Sequence, residues 1–502
     1  MIKYRTLPVL AFLIPLAVRA IPEILIGPYV IGFDTLGYYV PNVLTWLRYG
    51  VDYWHLIAVA PLFYTILLGV TSLGIPIVIT LKVMPPLFHG LLGLTVFFYA
   101  RKALSWSPKK SLLMALVGTL YFVALRISWD MLRNELGLIF LFIVLAFLQG
   151  NVSHRKHSVF LSLAMLSVVL AHPLVAIVMF AIVAATIIHL LLDRKTSEMR
   201  RLIMTCIPAL FLLVVVISAN YTISPSFSVV SGFPVKESEG WSALFGHASY
   251  FDMMANTLGF MVFCYLPLLP LVLLSVKLLR DNLQMKAWSF WIFIAISSAL
   301  VSPSVFVPGL HRWTLMLIYP FAFYATDALS HFKPNLYRLI ACVLLVTLTA
   351  GFIMLPNEAP FPYYTFFPYH MPTSMLQNTV SSSDCQDTVN VLQWLGSNMH
   401  DNTRLLAHDI FYGWALLTLG DSRIIPIGYG NPEKMAEEMV QNGSFDQLYL
   451  IWWTEGNGWH GQPTVSSSFE EIYESGKIAV FTYKPIVHHS DSDSEDLRSI
   501  KS

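Results

Sequence analysis

Charged side chains are scarce in this chain of 502 residues: Asp, Glu, Lys and Arg together make up 12% of it, and hydrophobic residues make up 56%. Soluble domains average about a quarter charged residues, so this deficit indicates an integral membrane protein. The charges that are present nearly cancel, leaving a net charge of +1. Because such a chain offers no strongly basic surface to a phosphate backbone, we expect no nucleic-acid partner.

Cysteine is scarce as well, with four residues, of which three lie in apolar segments: Cys206, Cys264 and Cys342. That distribution predicts neither a disulfide framework nor a zinc site. The small residues of a signal cleavage site are also missing after the first apolar run, which follows Lys3 and Arg5. We therefore expect this run to be a retained signal anchor.

Long apolar segments, in contrast, recur through the first 355 residues. A helix crosses a bilayer with about 17 to 25 residues, and on that measure we predict about eleven transmembrane helices. They lie near residues 6–26, 76–104, 111–127, 134–149, 159–171, 174–192, 202–221, 258–279, 287–301, 313–329 and 339–355.

Residues 61–75 (PLFYTILLGVTSLGI) offer a twelfth candidate span. Lys and Arg accumulate in cytoplasmic loops, and most basic loop residues fall on one face only if this segment is left out of the count. We therefore predict that it is a juxtamembrane helix. The protein is then a multi-pass protein of the cell membrane, with its N-terminus in the cytoplasm and its C-terminal region outside.

The first predicted outer loop, residues 31–54, carries Asp34 between two glycines and two tyrosines. The loop is too polar to cross a bilayer and too apolar for an ordinary loop in water. We interpret it as an interfacial segment that presents Asp34 to a membrane-embedded cavity. The alternative is that Asp34 is a helix N-cap, accepting a hydrogen bond from the amide of Gly37 or Tyr38.

Further ionisable residues fall at the predicted outer ends of other spans: Arg126, Asp130, Arg133, Glu135, His172, His311 and Arg312. Ionisable groups near hydrocarbon are costly and face a polar cavity or a partner, so this convergence predicts a site for an anionic lipid headgroup. Local explanations compete with it. Asp130 and Arg133 can pair on one helix, His172 can fill a turn, and Arg312 can be an interfacial anchor.

Two features lie inside predicted spans. Arg19 and Glu23, one turn apart in the first span, are expected to neutralise each other. Lys82, in the second span, has no acid one turn away. It is therefore a candidate contact for phosphate.

This layout resembles the GT-C superfamily of membrane glycosyltransferases, which use polyprenyl-phosphate sugars; it is similar to the group of mannosyltransferases, aminoarabinose transferases and oligosaccharyltransferases. The resemblance covers most of the chain. It rests on the first-loop acid (Phe33–Asp34), a Pro–aromatic run at residues 60–64, a second acidic outer loop (Asp130 to Glu135), Arg312 at the outer end of a late span, and a C-terminal domain.

In that superfamily the first-loop acid is the catalytic carboxylate, which the resemblance implies for Asp34. Acids of the second loop help to hold a divalent metal in some members, and other members work without one. The resemblance thus implies a second acid or a Mg²⁺ or Mn²⁺ site among Asp130, Glu135 and His172. This loop has no DxD or ExD pattern, so both possibilities stay open.

Sugar transfer from a lipid phosphate needs a base for the acceptor hydroxyl and cations for the departing phosphate. Asp34 can be the base, and the candidate cations are Arg312, Lys82, Arg133 and His311. The prediction is a hexosyl- or pentosyltransferase that uses a polyprenyl (dolichyl-type) phosphate donor. Its acceptor, a glycan, a lipid or a protein, would lie on the extracytoplasmic side.

The composition changes after residue 355. Residues 356–383, rich in proline and aromatics, predict a linker, residues 384–485 an α/β domain, and residues 486–502 a disordered acidic tail. Helical and strand patterns alternate in the domain, which predicts a small, mostly parallel sheet. Its strands are expected at residues 403–408, 423–427, 447–453 and 477–484.

The segment HDIFYGW follows the first of these strands, where open α/β sheets place ligands. It is loosely similar to a motif of oligosaccharyltransferases, which makes Asp409, Tyr412 and Trp414 candidate acceptor-binding residues. The alternative is that the acid caps the next helix. For the whole chain, the alternative function is a transporter or lipid flippase, which would place acids or broken helices near the middle of the bilayer.

Overall fold

A computed structural model describes residues 6–59, 61–148, 155–223, 250–279, 282–301, 312–331, 335–354, 372, 374–420, 423–428, 431–441, 445–454 and 465–484. Most of the predicted linker, the acidic tail and His311 lie outside these ranges. The chain divides into two units, Met1–Ser382 and Ser383–Ser502.

The first unit is built from helices. Helices α1 to α11 are Leu7–Leu25, Val40–Tyr49, Tyr53–Ala58, Pro61–Ser72, Ile77–Lys102, Pro108–Leu120, Phe122–Asp130, Leu132–Leu148, Arg155–Ala171, Pro173–Leu192 and Thr196–Ile223. The later helices are Tyr250–Tyr265, Leu269–Leu279, Leu283–Val301, Ile318–His331 and Asn335–Met354.

Four helices within the described ranges are long and apolar enough to cross a bilayer on their own: α1, α5, α10 and α11. Two bent pairs raise this number to six if each pair is one span. In one of them α6 and α7 meet at 58°, because extended Tyr121 interrupts the segment that was predicted as a single span. The count of about eleven spans stays a prediction.

Helix α4 covers the segment that was the candidate twelfth span. It has 12 residues, and at 1.5 Å per residue it extends about 18 Å. The hydrocarbon core of a bilayer is about 30 Å thick, so α4 is too short to cross it. Its length agrees with the prediction of a juxtamembrane helix.

Helices α1 and α5 pack closely through glycines. A Cβ atom on Gly93 would lie 2.3 Å from the carbonyl oxygen of Ala11, and one on Gly90 would lie 2.9 Å from that of Phe12. Small residues of this kind let membrane helices approach each other. The second half of α1, with its buried Arg19, is thereby held inside the bundle.

The second unit contains a five-stranded sheet with strand order β2-β1-β3-β5-β4. The strands are Thr403–His408, Ile424–Gly428, Gln447–Trp453, Phe469–Ser475 and Ile478–Tyr483, and its helices are Cys385–Asn398, Asp409–Leu419 and Pro432–Gln441. Strand β1 pairs in parallel with β2 and β3, whereas β5 is antiparallel to β3 and β4. The prediction of a mostly parallel sheet is therefore wrong. Strand β4 was not among the predicted strands; it is an edge strand whose glutamates face solvent.

Candidate functional site

Asp34 and Arg312 form a buried ion pair in the first unit. Arg312 Nη2 donates a hydrogen bond to Asp34 Oδ2 at 3.2 Å, and the two residues are 2% and 3% exposed. A buried carboxylate is tolerated when a cation and hydrogen bonds compensate its lost hydration. The structure thus brings together the predicted base and a predicted phosphate-binding cation.

The alternative that Asp34 is a helix N-cap is wrong. Asp34 has helical backbone angles, φ −58° and ψ −24°, and its side chain makes no capping hydrogen bond to the following turn. That turn, Thr35–Tyr39, is π-helical, a rare geometry that recurs at functional sites. The carboxylate is directed to Arg312 instead of to its own backbone.

Gly32 explains how the Asp34 loop reaches the end of α7. Its φ is +95°, and a Cβ atom there would lie 2.3 Å from the carbonyl oxygen of Trp129 and 2.9 Å from Cβ of Asp130. Only glycine allows both this backbone angle and this approach. The loop therefore lies directly against α7, with Asp34 two residues along the chain.

Asp130 belongs to a second ion pair of this cluster. Arg126 Nη1 donates to Asp130 Oδ1 at 2.5 Å, one helical turn away. The alternative pairing with Arg133 is wrong, because α7 ends at Asp130 and Arg133 lies on α8. The predicted second outer loop is thus two buried helix ends. The charges of Asp34 and Arg312 both act on Asp130.

Arg133 contributes a third guanidinium group. Its Nη1 donates to the carbonyl oxygen of Val59 at 2.8 Å, and its guanidinium carbon lies 5.8 and 5.9 Å from the ring centroids of Tyr39 and Tyr64. Its buried Nε has no hydrogen-bond partner among the described residues. Burial, and then the charge of Asp34, raises the pKa of Tyr39 well above 10.0, so that its hydroxyl remains a donor; it bonds the carbonyl oxygen of Asp130 at 2.8 Å.

Among the described residues of this cluster, cationic groups outnumber anionic ones. The guanidinium groups are those of Arg126, Arg133 and Arg312, and the carboxylates are those of Asp34 and Asp130. Burial, followed by the charges of Arg133 and Arg312, lowers the pKa of His172 well below 6.5, which keeps that ring neutral at pH 7. The described guanidinium groups thus outnumber the described carboxylates by one, and guanidinium groups bind phosphate through charge-assisted hydrogen bonds.

His172 and Lys82, two other predicted site residues, make contacts of a structural kind. His172 Nδ1 accepts a hydrogen bond from the Leu174 amide at 3.1 Å and caps α10. Lys82 Nζ donates to the carbonyl oxygens of Glu23 and Tyr29 at 2.8 and 2.7 Å. Their roles towards a ligand stay predictions.

The acid that partners Lys82 lies on α1. Lys82 Nζ is 3.6 Å from Glu23 Oε2, and Glu23 Oε1 is 2.9 Å from Arg19 Nη1. The predicted pairing of Arg19 with Glu23 is therefore confirmed, with Lys82 as a third member. Arg19 also donates through Nε and Nη2 to the carbonyl oxygen of Ser128. This contact connects α1 to the α7 end that carries Asp130.

Glu135 lies elsewhere in the bundle. Its Oε1 is 2.6 Å from His89 Nδ1, and His89 Nε2 is 2.9 Å from the carbonyl oxygen of Thr119. The described part of the chain has no group of three or more His, Cys, Asp or Glu side chains that could hold a metal. Among the described residues, Asp34 and Asp130 are each paired with an arginine and belong to no such group; a divalent metal at this cluster stays a prediction.

A segment that the sequence patterns did not single out contacts the Asp34 loop. Residues 374–380 follow the described helix Asn335–Met354 and are largely buried. The carbonyl oxygen of Gln377 accepts hydrogen bonds from the Gly32 amide at 3.2 Å and from Trp129 Nε1 at 2.8 Å. Asn378 Nδ2 donates to the carbonyl oxygen of Val30 at 3.1 Å. No local pattern in the sequence signals this contact between distant segments.

The candidate acceptor residues lie in the second unit. His408 caps the helix Asp409–Leu419, because its Nδ1 accepts a hydrogen bond from the Ile410 amide at 3.3 Å. The alternative that Asp409 is this cap is therefore wrong. Burial raises the pKa of Asp409 to about 6, while Trp414 is buried and Tyr412 is half-buried. The role of these residues in acceptor binding stays a prediction.

Two crystal structures of ArnT from Cupriavidus metallidurans share this architecture. The one bound to undecaprenyl phosphate has a TM-score of 0.53 and the one in the apo state has a TM-score of 0.57. Each is 14% identical in sequence, and each comparison covers 94% of this chain and 97% of the ArnT chain. No family model and no curated protein sequence matches the chain.

The likeness is one of fold, because 14% identity carries no more. It confirms the predicted resemblance at the level of the fold, which is mostly helical and ends in a small domain with a sheet. It does not favour the transporter alternative. The orientation of the termini stays a prediction.

Proposed function

We propose that this protein is a membrane glycosyltransferase that takes a sugar from a polyprenyl-phosphate donor, with Asp34 as its catalytic base. The observation that carries the proposal is the buried pair of Asp34 and Arg312 beside the pair of Asp130 and Arg126. The ArnT structure bound to undecaprenyl phosphate, similar over 94% of this chain, supports the same class of donor.

The proposed reaction is a displacement at the anomeric carbon of the donor sugar. The acceptor hydroxyl oxygen forms the new bond, and its proton passes to the Asp34 carboxylate. The bond between the anomeric carbon and the phosphate oxygen breaks, and its electron pair stays with the phosphate. No metal enters this sequence of bonds.

Arg312 is proposed to bind the departing phosphate. Its guanidinium lies beside Asp34, so one group would contact both the base and the leaving group. As negative charge develops on the phosphate oxygen, cationic donors already in place stabilise it without reorganisation. The excess positive charge contributed by Arg133 makes the cluster complementary to a phosphate monoanion or dianion.

The remaining parts of the prediction complete the proposal. Transfer takes place on the extracytoplasmic side, to a glycan, lipid or protein acceptor. Asp409, Tyr412 and Trp414 recognise that acceptor. Most basic loop residues fall on the other side of the predicted spans. This distribution supports the orientation, since Lys and Arg concentrate in cytoplasmic loops.

The test is a transfer assay in proteoliposomes that contain an extract of membrane lipids, glycans and proteins as the source of acceptor, with a panel of radiolabelled polyprenyl-phosphate hexoses and pentoses as donors. Asp34→Asn is expected to lower release of polyprenyl phosphate by about 100-fold or more, since a positioned base contributes about 10²–10⁴. It is also expected to retain binding of undecaprenyl phosphate, measured separately. The matched control is Asp52→Asn in the same loop: Asp52 caps α3, and asparagine caps as well as aspartate.

Undiminished release by Asp34→Asn would contradict the role of this carboxylate. Movement of the labelled lipid across the bilayer with no product from any donor of the panel would contradict the transferase itself, and would favour the transporter alternative.

A further inference from the structure

A cavity of about 1010 Å³, widely open to its surroundings like a groove, lies between the N-terminal parts of α9 and α11. Helix α9 has 17 residues and is about 25 Å long. Its C-terminal end is followed by His172, on which the charge of Arg312 acts, whereas the cavity lies at its N-terminal end. The cavity is thus far from the Asp34 cluster, at the end of the bundle that the basic residues predict to be cytoplasmic.

The charge in this cavity is of one sign. Arg155, Arg200 and Arg201 line it, and no acidic side chain is present among the described residues of its lining. Glu198 lies in the first turn of α11 but outside the lining. None of the three guanidinium groups has an ion-pair partner among the described residues. The cavity therefore presents unneutralised positive charge.

Hydroxyl groups accompany the arginines, contributed by Ser158, Ser162, Thr196 and Ser197. Arginine and hydroxyl donors together are what a phosphate group binds through charge-assisted hydrogen bonds. The N-terminus of the long helix α11 adds the favourable end of its dipole.

Apolar side chains form the rest of the lining. Val159, Ile203 and Met204 line the cavity and are 51%, 38% and 61% exposed. Ile203 and Met204 belong to α11, a helix long and apolar enough to cross a bilayer. Positive charge and hydroxyls at the end of such a helix, with apolar side chains beside them, match a ligand that has an anionic head and an apolar tail.

We propose that this cavity binds an anionic phospholipid, with the phosphate held by Arg155, Arg200 and Arg201 and an acyl chain lying against Val159 and Met204. Basic pockets between membrane helices on the cytoplasmic side are the sites at which anionic headgroups bind. This site is separate from the proposed transfer reaction and does not rest on it.

The test measures lipid retention by the full chain with native mass spectrometry, after titration with phosphatidylglycerol or phosphatidylcholine. The wild type is expected to retain phosphatidylglycerol selectively. Each basic residue near an anionic headgroup contributes about fivefold in affinity, so the triple variant Arg155→Gln, Arg200→Gln, Arg201→Gln should lose about 100-fold. The matched control, Lys156→Gln, Arg194→Gln, Lys195→Gln, removes the same charge outside the cavity and should stay within about fivefold.

A second variant tests the shape of the cavity without changing its charge. Ser162→Trp should fill the space between α9 and α11 and reduce phosphatidylglycerol retention, while the melting temperature shows that the variant is folded. Equal losses in the triple variant and its control would overturn the site, because general surface charge would then explain the binding. Equal retention of phosphatidylcholine would overturn it too. Saturation by inorganic phosphate with no preference for lipid would assign the cavity to a free anion.

Discussion

Arg312 Nη2 donates to Asp34 Oδ2 across 3.2 Å of space and 278 positions of sequence. The bond joins the loop that follows α1 to the helical stretch just before Ile318–His331. A contact between segments this distant requires most of the first unit to be folded. The chemistry proposed for Asp34 therefore depends on helices that are remote in the chain.

The pairing of these two charges can be measured through stability. Removing one partner from a buried ion pair costs about 3–5 kcal/mol, because the other charge stays buried and uncompensated. Asp34→Asn and Arg312→Gln are each expected to lower the free energy of unfolding by that amount, and the double variant by clearly less than the sum. Thermal unfolding of the four proteins gives the coupling. Strict additivity would contradict the pair, and exposed Arg48→Gln serves as the single-charge control.

Gly32→Ala tests the close approach of the Asp34 loop to α7. Both a positive φ and a contact of 2.3 Å with the Trp129 carbonyl oppose a methyl group there. The control is Gly50→Ala, since Gly50 has a φ of +93° and nothing within 4 Å of a Cβ atom. Backbone strain of about 1–3 kcal/mol is expected in both variants. A further loss of stability and of transfer is expected only in Gly32→Ala. Equal behaviour of the two in thermal unfolding and in transfer would show that the contact is unimportant.

Trp129→Phe tests the hydrogen bond to the Gln377 carbonyl oxygen while keeping an aromatic ring in place. Trp288→Phe is the control, because it removes a buried indole hydrogen bond to Tyr99. Each is expected to cost about 1 kcal/mol of stability. Trp129→Phe alone is expected to lower the transfer rate, by about fivefold, because it loosens the position of Asp34. A rate change in both variants, or in neither, would contradict this positioning role.

We expect the stability of the second unit to depend on pH through Asp409. Its pKa is raised by burial from 3.8 to about 6, so the folded state binds more protons than the unfolded state between these values. The contribution of Asp409 to the free energy of unfolding is therefore greatest below about pH 4. It falls by up to about 3 kcal/mol as the pH rises towards 6. Asp409→Asn should remove this fall and be the more stable protein at pH 7. Unfolding of both proteins between pH 4 and 7 gives the comparison, and parallel pH profiles would contradict it.

Two of the side chains predicted from the sequence, Asp34 and Arg312, form an ion pair in the structure, and their roles in a site stay predictions. Asp34 and Arg312 were singled out because each is a charge at the edge of an apolar span. The resemblance to the GT-C superfamily included both residues. Distance along the chain does not weaken such an inference, because the cost of burying a charge requires a partner wherever it comes from.

Contacts between distant segments were out of reach. Lys82 has no acid on its own helix, and its partner Glu23 lies on α1. Asp130 was expected to pair with Arg133, but α7 ends at Asp130, and its partner is Arg126 on the same helix. The contact of Gln377 with Gly32 depends on a backbone carbonyl, which any residue possesses. No residue type could signal it.

The bonds from residues 377 and 378 to the Asp34 loop also bear on when the protein becomes active during its synthesis. The ribosome makes Val30 and Gly32 early, whereas Gln377 and Asn378 emerge some hundreds of residues later. Until then a growing chain has the Asp34 carboxylate but lacks the hydrogen bonds made by residues 377 and 378. Before Arg312 is synthesised, it also lacks the cation that pairs with Asp34. A nascent chain already inserted in the membrane would thus lack the proposed transfer activity until translation has passed Asn378.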